Sequence, residues 1–397
     1  MPWSTTCRRC RRCSESTPDV ALPAVAPVAS RDVHLAPPAT AMVWLGPGRP
    51  HEAIAVPGVR LAEGDVLVEL ELSTVCGSDV HTVSGHRKAP TPLVLGHEYV
   101  GRIVALLDDV RSVDGRRLAL GDRVVWSIMA SCGQCDRCRR GLPQKCREVL
   151  KYGHERLVAR WELSGGFATH VHLRAGTAIV RVEESVPAAV LAPAACATAT
   201  AWAAVDRAAD VVDVDGATVL VTGAGLIGLT ATAIATRAGA RVIVADPDPG
   251  RRALAKSFGA AAMIDPAETG ALARALRRLR APELDIAIEA SGASAAVSSA
   301  LDEIGVGGVV VLVGSVSPGP AYALDAERTV RNLTTVRGVH NYDPQDLAGA
   351  IRFLEEHAHR YPFAQLVGRP HALSELDDAL ARAAAGTDVR VAIDPRL

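Results

Sequence analysis

The sequence predicts an α/β protein of two domains: a β-rich, barrel-like domain completed by both ends of the chain, and a doubly wound parallel sheet. Three observations carry this. From Ala41 to about residue 190, short apolar runs are separated by Gly and Pro, the punctuation of strands and turns. From about residue 217, short apolar strands alternate with helical segments, which implies a parallel sheet. The final ~50 residues return to a mixed pattern, so the C-terminus is expected back on the first domain.

In chain order, MVWLG (from Met42), VLVELELSTV (from Val66), YVGRIVALL (from Tyr99) and DRVVWSIM (from Asp122) read as strands of the first domain. TVLVTG, RVIVAD, AAMID, LDIAIEAS, VVVLVGS and TTVRGV read as buried strands of the second. LIGLTATAIATRAG, PGRRALAKSF and GALARALRRLR are the helices between them, DPQDLAGAIRFLEEH is a late helix, and DVRVAI is a terminal strand. The predicted division is 39–195 with 343–397 for the β-rich domain and 196–342 for the parallel sheet. Residues 1–38 read as a disordered extension: CRRCRRC offers Cys7, Cys10 and Cys13 but no fourth ligand, and an Ala/Pro/Val tract follows. No continuous apolar core follows the early charges, so a signal peptide is not expected.

Composition excludes some functions. The 397 residues carry 43 basic and 44 acidic side chains, a net charge of −1, so nothing draws the chain to nucleic acid or to an anionic membrane. The uncharged stretches 185–205 and 217–236 contain Pro187 and Pro193, or threonines and glycines, and read as soluble core rather than as membrane spans. Nine cysteines, most of them explicable as metal ligands, indicate a reducing compartment and hence the cytoplasm.

The most specific motif is SCGQCDRCRRGLPQKC, which places Cys132, Cys135, Cys138 and Cys146 in one short loop. Four thiolates close a tetrahedral zinc shell and leave no position for substrate, so this zinc is structural. A second motif, GAGLIG, holds Gly223, Gly225 and Gly228 with Leu226 and Ile227 between the last two. It follows a strand and opens a helix, the context in which backbone N–H groups and a helix N-terminus receive a dinucleotide pyrophosphate. Asp246 ends the next strand. A carboxylate there accepts from the adenosine ribose hydroxyls and favours NAD over NADP. Its alternative is a helix N-cap, and the neighbouring Arg251 and Arg252 could pair with a 2′-phosphate or lie over the adenine.

Cys76 in VCGSDVH, His97 and Glu98 in LGHEYVG, and Cys196 in APAACATATAW carry no joint signal from spacing alone. Taken in order with the four-cysteine loop and GAGLIG, however, these motifs resemble the zinc-dependent medium-chain alcohol dehydrogenases from about residue 39 to the end. The resemblance implies a GroES-like catalytic domain and a Rossmann cofactor domain. It makes Cys76, His97 and Cys196 the ligands of a catalytic zinc, the second per chain. Glu98 becomes the carboxylate that approaches the metal during ligand exchange, and Asp79 the residue that orients His97. By the same resemblance, Ser78 and His81 form a relay that carries the alcohol proton past the cofactor ribose to the surface. Thr200 contacts the nicotinamide end, Val313, Gly314 and Ser315 pass main chain along the nicotinamide, and Arg390 binds the pyrophosphate or is a surface arginine.

The expected chemistry is reversible hydride transfer between an alcohol carbon and NAD, giving an aldehyde or ketone. GLPQKC, KYGHE and CATATAW resemble the phosphonate-catabolism-associated subgroup; cyclitol dehydrogenases are the rival. Trp126 and Ile128 are pocket-wall or core positions. His86, Arg87 and Lys88, with Lys151, form either a basic pocket rim favouring an anionic alcohol or a solvated loop. The non-enzyme alternative is an NAD-binding scaffold with only the structural zinc. The family implies a homodimer or homotetramer acting on a small molecule.

Overall fold

The computed structural model describes residues 30–317 and 319–397. The first domain contains β1 (Ser30–Trp44), β2 (Glu52–Ala62), β3 (Val66–Val75), β4 (Leu93–Val94), β5 (Glu98–Leu106), β6 (Arg123–Ala130), β7 (Leu150–Lys151), β8 (His170–Leu173) and β9 (Thr177–Arg181). β1 lies between β2 and β4 in a three-stranded sheet, while β3, β5, β6 and β7 run in order through a larger one. Every residue of β6 is buried, and Val66, Val68 and Leu70 of β3 meet Tyr99, Ile103 and Trp126 in one core.

The strand β1 begins earlier than the sequence predicts. Residues 30–38, expected to be disordered, pair with β2 from Ser30↔Ala62 onward. Val33 and Leu35 pack inward against the cluster around Leu61 and Leu67, an alternation that the flanking Ala and Pro obscure. Pro37 and Pro38 fall where the ladder breaks, between His34 and Ala39, the position at which a strand tolerates missing donors. The cysteines at 7, 10 and 13 and the expected disorder of residues 1–29 lie outside the described residues.

The second domain is a parallel sheet of β10 (Thr218–Thr222), β11 (Arg241–Ala245), β12 (Ala262–Ile264), β13 (Leu284–Glu289), β14 (Ile304–Leu312) and β15 (Thr335–Gly338). The spatial order is β12-β11-β10-β13-β14-β15. The chain therefore runs outward from β10 on one side, then restarts at β13 on the other. Such a reversal opens a crevice at the carboxyl ends of the strands, where doubly wound sheets bind ligands. Residues 217–236 are the strand and helix the sequence predicts, and Ser185–Val205 lies in short helices packed into the core. Among the described residues no single helix is long and apolar enough to cross a membrane.

The C-terminal stretch returns to the first domain. β16 (His371–Ala372) and β17 (Val391–Asp394) extend the larger sheet, with β17 antiparallel to β3. The helix Pro344–His357 packs on the helix Ala197–Ala209 between the domains. Gly349 makes this approach possible, because a Cβ there would lie 2.5 Å from the Trp202 ring.

A buried ionic knot braces the barrel. Asp65, 1% exposed, faces His172 Nε2 at 2.9 Å and Arg174 at 3.1 Å, and accepts from the backbone of Ala62 and Ala175. Burial raises its pKa, but the His172 hydrogen bond and the other partners outweigh burial and leave it below 3.8. A carboxylate with a lowered folded pKa stabilises the protein above its unfolded value, and that contribution disappears as pH falls through the folded value. Asp65→Ala is expected to cost about 3 kcal/mol or more near neutral pH, read as a lower melting temperature. The gap from wild type should narrow as the pH drops below 3.8; a gap independent of pH contradicts the assignment.

Candidate active site and metal centres

The four-cysteine loop follows β6 and wraps one point. Sγ–Sγ distances are 3.5 Å for Cys135–Cys138, 4.0 Å for Cys135–Cys146 and 3.4 Å for Cys132–Cys146. A tetrahedral ion with Zn–S bonds near 2.3 Å sets neighbouring sulfurs about 3.8 Å apart. The donor set thus fits zinc. Backbone N–H groups of Cys132 and Glu148 point at Cys146 Sγ, each at 3.3 Å. Others, that of Arg147 first, bring the Cys135 thiol down to about 6. The Arg147–Asp136 ion pair, at 2.8 Å for Nη2–Oδ2, braces the loop.

The structure brings Cys76, His97 and Cys196 together, with their ligand atoms all within 4.8 Å of one another. Two strand ends set this up. β3 delivers Cys76 as the N-cap of the helix Gly77–Val83, and the Thr74↔Glu98 register of the β3–β5 pair puts His97 alongside. Cys196 arrives from the other side as the N-cap of Ala197–Ala209. Cys76 Sγ and Cys196 Sγ are 3.9 Å apart, again the spacing of two thiolates on one zinc.

The electrostatics also call for a cation. The Cys196 hydrogen bond, and then the His97 charge against the penalty of burial, hold the Cys76 thiol well below its ordinary range. The same hydrogen bond and burial push the Cys196 thiol up. Two sulfurs this close cannot both ionise without a positive charge between them, which a zinc held by these residues would supply. Two cysteines and a histidine leave the fourth tetrahedral position open.

The surrounding residues hold the ligands in place. Asp79, 1% exposed, accepts from the Cys76 backbone at 2.9 Å and from that of Gly96 at 3.4 Å, and its Oδ1 lies 3.4 Å from His97 Nδ1. That leaves His97 Nε2 for the metal, and Ser78 Oγ lies 3.3 Å from it. His81 is one helical turn beyond Ser78 and exposed. Glu98 is fully buried and accepts from Thr74 Oγ1 at 2.6 Å and from Arg390 Nε at 3.0 Å. Burial raises Glu98 to about 7, with Arg390 pulling the other way. Arg390 is therefore no ordinary surface arginine: its side chain is 13% exposed and holds Glu98.

The glycine turn sits at the end of β10. Gly223 has φ +90°, and a Cβ there would press on Ser291 at 3.0 Å. Gly228 needs its bare Cα because a Cβ would lie 1.8 Å from the Gly223 carbonyl oxygen. At Gly225 a Cβ would meet no protein atom, so the space beside it is open to a ligand. The helix Leu226–Arg237 starts at once, with Gly225 as its N-cap. Asp246, 4% exposed, accepts from Ala224 N at 2.7 Å and Asp248 N at 2.9 Å. The helix-capping role falls instead to Asp248. Arg252 is tied to the Asp246 and Pro247 carbonyls and to Asp265, whereas Arg251 is exposed. Val313 and Gly314 donate backbone N–H groups to the Glu289 carbonyl, and Gly314 abuts Gly292 at the carboxyl ends of β13 and β14. Ser315 follows them, and Thr200 lies one helical turn beyond Cys196.

Two wall positions are core. Trp126 is wholly buried and stacks on Tyr99 with ring centroids 4.1 Å apart, and Ile128 is 6% exposed. The sequence reading missed His154, although KYGHE contains it. Its ring lies 4.9 Å from the His97 ring, and its Nε2 is 3.0 Å from Arg87 Nη1. It also missed His340 and Tyr342. The Tyr342 hydroxyl donates to the Ala195 carbonyl next to Cys196. No spacing rule links these residues to the motifs: His154 meets Arg87 and His97 within the first domain, and His340 and Tyr342 reach Lys145 and Ala195 from the second.

Comparison with known proteins agrees with this geometry. Residues 62–184 match the alcohol dehydrogenase GroES-like domain, and residues 227–356 match the zinc-binding dehydrogenase model. An L-threonine 3-dehydrogenase of Streptomyces avermitilis is 31% identical over 347 residues, covering 85% of this chain and 94% of the relative. One from Aeromonas salmonicida is 30% identical over 294 residues, covering 72% and 79%. The crystal structure of an alcohol dehydrogenase from Thermotoga maritima superposes with a TM-score of 0.83 at 28% identity, covering 90% of this chain and 99% of that one. The chain belongs to the zinc-binding medium-chain alcohol dehydrogenase family and is a dehydrogenase.

Gly228→Ala should abolish cofactor binding, read by quenching of tryptophan fluorescence, while zinc content stays at the wild-type level. Undiminished binding would contradict the role of the turn.

Proposed function

We propose that the protein transfers a hydride between a small alcohol bearing an anionic group and NAD, using one structural and one catalytic zinc per chain. The observation that carries this reading is the convergence of Cys76, His97 and Cys196 beside a glycine turn, since the helix that Cys196 caps packs on the helix opened by that turn. Zinc on these three residues supplies a Lewis acid, and NAD supplies the hydride acceptor.

The chain's own residues do the rest. Asp79 keeps the His97 ring turned so that Nε2 faces the cluster. Ser78 takes the hydroxyl proton of the alcohol, and His81, exposed one turn further on, releases a proton to solvent; an imidazole suits that task near neutral pH. Arg390 and Thr74 hold Glu98 beside the ligands. The free N–H groups at Leu226 and Ile227 receive the pyrophosphate together with Arg390, and Arg251 flanks the adenosine end. Thr200 and the main chain of Val313, Gly314 and Ser315 border the nicotinamide. The buried Asp246 carboxylate, already accepting two backbone bonds, supports NAD over its 2′-phosphorylated form.

The basic groups near His97 support an anionic alcohol over a neutral cyclitol. The six described cysteines, none of them in a disulfide, support a reducing compartment such as the cytoplasm. A homodimer is supported by the open edge strand β15 and the exposed Val306, Val330, Leu333 and Val336 nearby. Leu333→Asp should then shift the mass by light scattering toward the monomer; an unchanged mass contradicts pairing through this edge.

A panel of alcohols with NAD, followed by NADH absorbance, tests the main reading. Cys76→Ala should lower zinc from two to one per chain and remove activity. Ser78→Ala should retain both zincs and lose turnover by about 10²-fold or more. Full activity in either variant, or one zinc in the wild type, contradicts the reading.

A further inference from the structure

Four basic side chains from separate stretches of chain gather next to the catalytic cluster. Lys145 Nζ lies 2.5 Å from His340 Nδ1. Arg87 Nη1 lies 3.0 Å from His154 Nε2, and the His154 ring is tilted 56° against that of His97 with centroids 4.9 Å apart. Lys151 is half-buried in β7, opposite Met129 of β6. Burial, and then the charges of Lys145 and Arg87, hold its amine below the ordinary lysine range. Burial, followed by Lys145, Lys151 and Arg87, brings His340 down to about 4. A turn in which the His154 backbone N–H donates to the Lys151 carbonyl at 3.1 Å ties Lys151 to the Arg87–His154 pair, and the charges of Lys145, Lys151 and Arg87 all reach His340.

The grouping has little internal compensation. Among the described residues, Glu155 is the one carboxylate acting on Lys145, Lys151 or His340, and its Oε1 is occupied with the Lys151 backbone N–H at 3.0 Å. Two like unit charges 4 Å apart repel by about 4 kcal/mol at an effective dielectric constant of 20. Lys151 is half-buried in a strand, while Arg87, Lys145 and His340 are exposed beside it. An anion at the centre would relieve the repulsion.

The location suits a substrate. His340 follows β15 at the carboxyl edge of the parallel sheet, where ligands of such sheets bind. Arg87, Lys145 and Lys151 face it from the β-rich domain. The Arg87–His154–His97 sequence of contacts connects this grouping to the metal ligands. The sequence reading drew the rim from His86, Arg87 and Lys88, with Lys151. In the structure the His86 ring is instead 6.0 Å from that of His81, and the anion-facing groups come from three stretches of chain.

We propose that Arg87, Lys145, Lys151 and His340 form one subsite that holds a tetrahedral dianion of the substrate, a phosphate monoester or a phosphonate, while its hydroxyl reaches the catalytic cluster. This rests on the dehydrogenase reading above. Three permanent cations match a dianion better than a single carboxylate. The guanidinium fork engages two of its oxygens, and the ammonium groups serve as point charges.

Calorimetry on the full-length, zinc-loaded protein saturated with NAD tests this, with methylphosphonate, inorganic phosphate and acetate as probes. Saturating NAD removes the pyrophosphate site from competition. Methylphosphonate and phosphate should bind, and acetate about tenfold more weakly or worse. Lys151→Met and His340→Ala should each weaken methylphosphonate binding about tenfold, whereas the distant, exposed Arg331→Ala should not. Circular dichroism and zinc content verify that each variant folds. Absence of binding, equal binding of acetate, or variants that bind like wild type would overturn the subsite; the last result would place the anion on the metal. Loss of methylphosphonate binding in Lys151→Met, with no NADH formed by the wild type from any alcohol, would keep the subsite and remove the dehydrogenase reading. NADH formation from neutral alcohols without anion binding would do the reverse.

Discussion

Two thiols held 3.9 Å apart beside a buried imidazole are the constraint on which the rest of the molecule depends. Nothing local brings them together. The antiparallel register of β3 with β5 fixes Cys76 against His97, and the segment Ala192–Ala195 that precedes Cys196 packs on the same strands. A one-residue slip in that ladder would turn His97 to the opposite face. The large apolar core around Tyr99 and Trp126 therefore has a chemical purpose as well as a structural one: it prevents the slip.

The charges around the cluster follow one logic. Asp79, Glu98 and Arg390 are buried with their partners, so each is held rather than solvated. Glu98 is balanced between burial, which favours its neutral form, and Arg390, which favours the carboxylate. Because Arg390 immediately precedes β17, which pairs with β3, the C-terminal strand is part of the centre and not merely a closing strand. On the cofactor side the same economy appears in Asp246, which stiffens the glycine turn through Ala224 while it remains available at the end of β11.

Much of this was legible in the sequence because it is encoded locally. The cysteine loop needs four residues at short spacing, and the turn at Gly223–Gly228 needs bare Cα atoms where a Cβ would strike backbone. The central strands β10, β11 and β14 carry short apolar runs, VLV, VIVA and VVVL. What was illegible is non-local or masked by composition. Residues 30–38 read as disordered because prolines interrupt an inward alternation of two side chains. Trp126 had two readings until its stacking on Tyr99 placed it in the core. His154 and His340 have ordinary neighbours in sequence, and their partners are Arg87 and Lys145, dozens to nearly two hundred positions away. The trio Cys76, His97 and Cys196 lay between these cases: spacing did not assemble it, and only resemblance to a family did.

X-ray absorption at the zinc edge of the full-length protein addresses the central claim most directly. One site of four sulfurs and one of two sulfurs with a nitrogen average to about three sulfurs per zinc, at about 2.3 Å, with light-atom donors making up the remainder. That is the result expected here. A spectrum with four sulfurs around every zinc would mean that only the loop Cys132–Cys146 holds metal, and would contradict the account.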